Sequence, residues 1–210
     1  PPRAAGDEAE QGRRWKEVLA EHAALSAWLS GIKDEQRVRV ERTGSWFAIR
    51  VGPFHVWLSF CERLLRAGIE PRDRSNALWT LGNVAHSAGQ LDRALEAARD
   101  KVEVDRALGD ERGAALAAGL IADILMARGE LDEALRICRE EELPVYERLG
   151  DVRERLVAQA NIALLLLRRA RRGDREEASG LLAGARAAAE RMRLPEARQI
   201  QSIQEKFGLV

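Results

Sequence analysis

The stretch Gly89-Gln90-Leu91-Asp92-Arg93-Ala94-Leu95 returns forty residues later as Gly129-Glu130-Leu131-Asp132-Glu133-Ala134-Leu135, identical at five of seven positions. Recurrence at such a spacing marks an array of stacked supersecondary units. Each unit buries its apolar face only against its neighbours. A second signature, Leu108-Gly109-Asp110, recurs as Leu149-Gly150-Asp151, but after 41 residues rather than 40. The extra residue falls in the segment that holds Pro144. An interior proline removes a helical hydrogen bond and crowds the preceding turn, so a kink or bulge is predicted near Glu140 to Pro144.

The units between these turns read as helices. Ala, Leu, Glu and Arg dominate, and aromatic residues make up only 5% of the chain. These are helix-favouring residues. Helices are predicted from Leu91 to about Ala107, from an Asp110 cap to Arg128, and from Leu131 to Arg148. Two more run from Val152 to about Arg171 and from Arg175 to about Met192. Pro195 opens a short last helix, 195–207, whose stripe Ala197, Ile200, Ile203 and Phe207 suits a cap over the open end of the array.

Upstream, Pro53 suits a first helical turn. Phe54, Trp57, Leu58, Cys61, Leu64 and Leu65 carry that helix to Ala67. Another, capped by Asp73 or Ser75, runs to about Ala88. Near the start, an apolar stripe from Trp15 to Leu29 marks a helix that begins at Asp7. Between them, Arg37 to Arg42 alternates polar and apolar, and Phe47, Ile49 and Val51 share a face. With Thr43-Gly44-Ser45 between them, these runs predict a small β-hairpin at 37–51. Trp46, Ile49, Trp57, Cys61 and Leu64 also fit a helical spacing, which Gly52-Pro53 would interrupt. The expected division is an N-terminal extension, 1–52, and a helical array, 53–210.

Charge and composition remove several function classes. Lys plus Arg and Asp plus Glu both number 34, so no bulk charge draws the chain to nucleic acid or to an anionic membrane. The longest apolar run, Ile162 to Leu167, is far too short to span a bilayer. The two cysteines, Cys61 and Cys138, sit in apolar helical patterns, as small core residues of a reducing, cytoplasmic compartment do. His22, His55 and His86 lie in different segments with no metal-ligand spacing. Neither a phosphate-binding loop nor a nucleophile elbow occurs. Cys61 and His55 are not helical neighbours, and no third group completes a triad. No catalytic, metal or cofactor residue is therefore assigned.

Paired antiparallel helices with a Gly-x-Leu-Asp-x-Ala-Leu turn resemble tetratricopeptide repeats. Leu81-Gly82, Gly89, Leu91 and Ala94 fill the family's small-residue places in one repeat. Ile121-Ala122, Gly129, Leu131 and Ala134 fill them in a second. Ile162-Ala163, Gly173 and Ala178 fill them in a third, with about three extra residues before the turn. The usual repeat has 34 residues, so this is a long variant, similar to arrays in bacterial signalling and defence proteins. The resemblance spans about 72 to 192, is weak over 53–71 and is absent from 1–52. It implies an all-α, TPR-like helical-hairpin solenoid of about three repeats plus a capping helix.

It also implies a groove lined by the first helix of each repeat. The family's groove positions fall on Asn76, Trp79, Asn83, His86 and Ser87, then on Leu116, Gly119, Asp123, Met126 and Ala127. In the third repeat they fall on Val157, Ala160, Leu164, Leu167 and Arg168. The partner-binding residues so implied are Asn76, Trp79, Asn83, His86, Asp123, Met126 and Arg168. Asn83 matches one position of the clamp that some members close on a C-terminal carboxylate, but its lysines are missing. Trp79 is either a groove anchor or inter-helix packing. His86 is either a ligand contact or a surface group. The arginines from 168 to 175 and the run Glu140-Glu141-Glu142 read most simply as solvated faces.

The reading is a non-enzymatic scaffold that binds a protein or peptide. A second reading makes it the sensor fragment of a larger bacterial signalling or defence protein, with an ATPase or protease domain elsewhere. The start at Pro1-Pro2 rather than Met motivates that expectation. A third gives the 37–51 hairpin a role in self-association.

Overall fold

A computed structural model describes residues 23–24, 27, 29, 31–32, 34–51 and 53–209. Every regular element among them is helical. The lead-in 1–6, and most of the helix predicted from Asp7, lie outside the described residues; Leu29, at the end of that stripe, is fully buried. The chain divides into two compact units, Pro1–Ala88 and Gly89–Val210. That cut differs from the 52/53 division read in the sequence.

The first unit contains α1 (Asp34–Val51), α2 (Phe54–Arg66) and α3 (Pro71–Ser87). The β-hairpin expected at 37–51 is corrected: this segment is one helix, α1. Val38 and Ser45 are half-buried and Glu41 and Ala48 are buried, at the three- and four-residue steps of a helical face. Glu41 enters the interior because Thr80 Oγ1 donates to its carboxylate at 2.5 Å. Strand propensity is mostly a packing preference, and here α1 packs on α2 and α3. Pro53, with φ −68°, precedes α2. The buried face of α2 includes Trp57 and Phe60, whose rings meet edge to face at 5.6 Å. α3 begins at Pro71 and not behind an Asp73 or Ser75 cap; Asp73 lies in its first turn, where the helix dipole favours an acid.

The second unit contains α4 (Leu91–Ala107), α5 (Glu111–Arg128), α6 (Leu131–Ile137), a π turn (Cys138–Glu142), α7 (Leu143–Leu149), α8 (Val152–Arg169), α9 (Asp174–Arg191) and α10 (Glu196–Lys206). Gly109, Gly129 and Gly150 turn the chain with φ of 70°, 82° and 66°, a left-handed conformation that favours glycine. Asp110 caps α5, accepting from the Gly113 N–H at 2.8 Å. Ala94, Ala122, Ala134, Ala163 and Ala178 are each at most 2% exposed. Their small side chains let α4 pack on α5, α5 on α6, and α8 on α9.

The expected bulge is the π turn. The Leu143 N–H reaches back five residues to Cys138 O, which absorbs the additional residue of this repeat just before Pro144. The expected cap is α10, which packs on α9 and α8 and buries Ile200. Arg175 Nη2 closes its end, donating to the carbonyls of Phe207 and Gly208 at 2.9 Å each.

The repeated aspartate of the turn motif has its own task. Asp92 pairs with Arg128 at the end of α5. Asp132 pairs with Arg169 at 3.0 Å, at the end of α8, and with Arg171 at 2.5 Å. The arginine cluster is thus drawn into the fold: Arg169 also grips Asp174 at 2.7 Å. Hydrogen bonds from Arg169, then from the Arg171 N–H, hold the Asp174 carboxyl down at about 2.

The turn after α8 is strained. Ala170, the C-terminal cap of α8, has φ 53°. A side chain in the left-handed region costs about 1 kcal/mol. Ala170→Gly is expected to raise stability by about that amount, read as a higher urea midpoint at unchanged slope.

Candidate functional site: the first-helix face and a buried glutamate

The seven groove residues fall into two sets, one in each unit. In the first unit Asn76 is exposed on α3, while Trp79, Asn83 and His86 are half-buried. Asn83 Nδ2 donates to Trp79 O at 2.9 Å, so the amide lies along its own helix. In the second unit Asp123 and Met126 are half-buried on α5 and Arg168 is exposed on α8. The structure brings two of these together: Arg168 Nη1 reaches Met126 O at 3.5 Å. At the other end of the same helix pair, Arg112 of α5 bonds Asp151 at 2.8 Å and Glu154 at 3.0 Å. α5 and α8 are therefore pinned at both ends, with Gly119 and Asp123 between the pins on α5.

Sequence reasoning missed the residue beneath this face. Glu142 was expected on a solvated surface; that is corrected. Glu140 is exposed and Glu141 half-buried, but Glu142 is only 4% exposed. The π turn changes the angular step of the helix and puts this third glutamate on the inner side. Gly119 makes the room: a Cβ there would lie 2.6 Å from Glu142 Oε1. Burial pushes the Glu142 carboxyl up to about 7; a hydrogen bond from the Cys138 thiol opposes this, and the Asp123 and Glu154 charges add to it. Among the described residues, Glu142 Oε2 and the Tyr146 hydroxyl are buried without a hydrogen-bond partner. Burial, then the Glu142 charge, pushes up both the Cys138 thiol and the Tyr146 phenol. Cys138 is thus held as a thiol, the poorly nucleophilic form.

Gly119→Ala is expected to cost about 1–3 kcal/mol, because the added methyl must displace a buried carboxylate. Urea melts check this. Adding Glu142→Ala should recover a large part of the loss, since the obstructing group is then gone; simple additivity of the two losses would refute the contact.

On another side of the second unit, a cleft of about 270 Å³ has Val102, Ile121, Leu125 and Ile137 among its lining residues. Two of its arginines are paired: Arg106 with Glu141 at 3.5 Å, and Arg136 with Glu133 at 2.7 Å. No group of side chains that could hold a metal ion occurs among the described residues, and no helix among them is long and apolar enough to cross a membrane.

No family model matches the chain, and no curated protein matches it. Solved structures do. Two crystal structures of a Podosopora anserina putative kinesin light chain with nearly identical TPR-like repeats, one of them a point variant, superpose with a TM-score of 0.57 at 14% identity. In each case the match covers 83% of this chain and 89% of the other. At that identity the likeness is one of fold. The chain is an all-α, TPR-like helical repeat protein.

Proposed function

We propose that this chain is a protein-interaction scaffold whose first-helix faces take a protein or peptide partner. The observation that carries this reading is the character of those faces. α3 offers Asn76, Trp79, Asn83 and His86, and α5 offers Asp123 and Met126. Five of the six are half-buried, placed to contact a partner while packed at the base. Aromatic and polar groups on a rigid helical scaffold suit recognition of side chains and backbone. The role is non-catalytic and needs no cofactor, and the partner is neither nucleic acid nor membrane. Cys61 and Cys138, both buried and outside any disulfide, suit a cytoplasmic setting.

The test is a peptide selected from a display library against the whole chain. Trp79→Ala, Asn83→Ala and Asp123→Ala should each weaken it about tenfold, or about 1.4 kcal/mol, with the helical circular dichroism retained. Unchanged affinity in all three would refute the assignment. The 40-residue period also supports a second reading, the sensor arm of a bacterial signalling or defence ATPase. The surrounding reading frame decides that.

A further inference from the structure

We propose that the corner between α9 and α10 takes an acidic segment of a partner protein, whose carboxylates meet Arg193 and Arg198 while an apolar side chain enters the cleft they line. The cleft has a volume of about 500 Å³, and Leu194, Pro195 and Ala197 supply its apolar wall. It shares no residue with the first-helix faces, so its binding stands or falls apart from theirs.

The chain leaves α9 as it leaves α4 and α7. The N–H groups of Asp110, Asp151 and Leu194 each reach back five residues, to the carbonyls of Asp105, Tyr146 and Ala189. The residue before each is left-handed: Gly109, Gly150 and Arg193, the last with φ 54°. The first two turns use glycine, which that conformation favours, and an acid follows it. Asp110 caps α5, and Asp151 pairs with Arg112. The third turn has an arginine where the others have glycine, and Leu194 where they have aspartate. It therefore adds a positive charge and lacks the acid that would balance it.

The surroundings leave that charge uncommitted. Arg191, Arg193 and Arg198 are exposed, and none of the three side chains has an ion pair or hydrogen bond among the described residues. By contrast, Arg112, Arg128, Arg136, Arg148 and Arg169 each hold an acid. The acids of the corner itself are taken: Glu190, which lines the cleft, bonds Arg186 at 2.8 Å, and the buried Glu196 bonds Arg153. A guanidinium fork matches a carboxylate through two parallel N–H bonds. Exposed ion pairs alone bind weakly, so an apolar contact must accompany them. Leu194 is half-buried, and Met192, beside Arg193 in the chain, is 51% exposed. Such a surface suits a segment that mixes acidic and apolar residues. A nucleic-acid strand would bring charge, but the cleft lining has no aromatic side chain on which its bases could stack.

The test is an NMR titration of the whole chain with the capped peptide Glu-Glu-Leu-Glu-Glu. Its counterparts with glutamine or lysine in place of glutamate, and a short oligouridine, are the comparisons at equal ionic strength. The expected result is saturable shifts at the Arg193, Leu194, Ala197 and Arg198 amides with the glutamate peptide alone, weakened by added salt. Arg193→Gly and Arg198→Gln should each weaken binding about fivefold, whereas Arg172→Gln, at an exposed arginine of another turn, should not. Arg193→Gly also relieves the left-handed turn, so its urea midpoint should rise while its affinity falls, and lost binding cannot be lost folding. Equal binding of the glutamine peptide would overturn the charge assignment, and equal or tighter binding of the oligouridine at these amides would overturn the protein segment as occupant. Unchanged affinity in both arginine variants, shifts confined to other residues, or no saturable shift with any probe would overturn the site. None of these outcomes bears on the first-helix faces, which the display-selected peptide tests.

Discussion

Asp105→Ala lowers the stability of the second unit by about 3–5 kcal/mol, the range for breaking a buried ion pair by removing one partner. Lys101 Nζ lies 2.6 Å from Asp105 Oδ2 within α4, and the two side chains are 7% and 1% exposed. Truncating the acid leaves an ammonium in a place that water scarcely reaches. α5 is shaped to this pair: a Cβ on Gly113 would lie 2.6 Å from Asp105 Oδ2. The companion variant is Lys101→Met with Asp105→Leu, which removes both charges. It should cost far less than either single change, because desolvation of the ions is no longer required. Urea unfolding followed by circular dichroism measures all three proteins, the parent and the two variants. If the double variant is as unstable as the single one, the pair is not the source of the loss.

The second large effect is a pH dependence. Glu142 has an ordinary value of 4.5 and a folded value of about 7. Between those values the folded chain keeps a proton that the unfolded chain has released. The stabilisation is therefore complete below about 4.5 and is lost as pH rises through about 7. A difference of this size corresponds to roughly 3 kcal/mol. The arginine-bound Asp174, at about 2, titrates well below that window. Glu142→Gln keeps a neutral side chain of the same shape at every pH. It should match the parent near pH 5 and exceed it by roughly 3 kcal/mol at pH 8. Urea melts across that range decide it; parallel curves for the two proteins would remove Glu142 as the cause.

Much of this fold was legible in the sequence because the repeat motif is local. Gly129, Asp110 and Ala134 each act within a few residues, so their types alone predict a turn, a cap and a close helix contact. Pro144 and the 41-residue spacing marked the π turn for the same reason. The 37–51 segment was misread because its decisive contact is distant: Thr80 holds Glu41 inside, and alternation over six residues does not exclude a helix. Glu142 was missed because the turn that was foreseen also rotates the side chains within it. A run of three glutamates reads as one solvated face only if the helical step stays uniform. As for the groove, the resemblance named positions on α3, α5 and α8, but the carboxyl beneath Gly119 comes from the π turn between α6 and α7, which no groove pattern includes.

The paired Asp92 and Asp132 give the second unit two kinds of stiffness. Alanine packing between helices is insensitive to ions. The aspartate–arginine links are not: the Asp92 and Asp132 side chains are 100% and 59% exposed, and the Debye length shrinks to about 3 Å at 1 M salt. Dissolved salt therefore weakens these links and leaves the alanine contacts between helices untouched. In concentrated salt the second unit keeps the part of its cohesion that comes from buried alanines and loses the part that comes from exposed ion pairs.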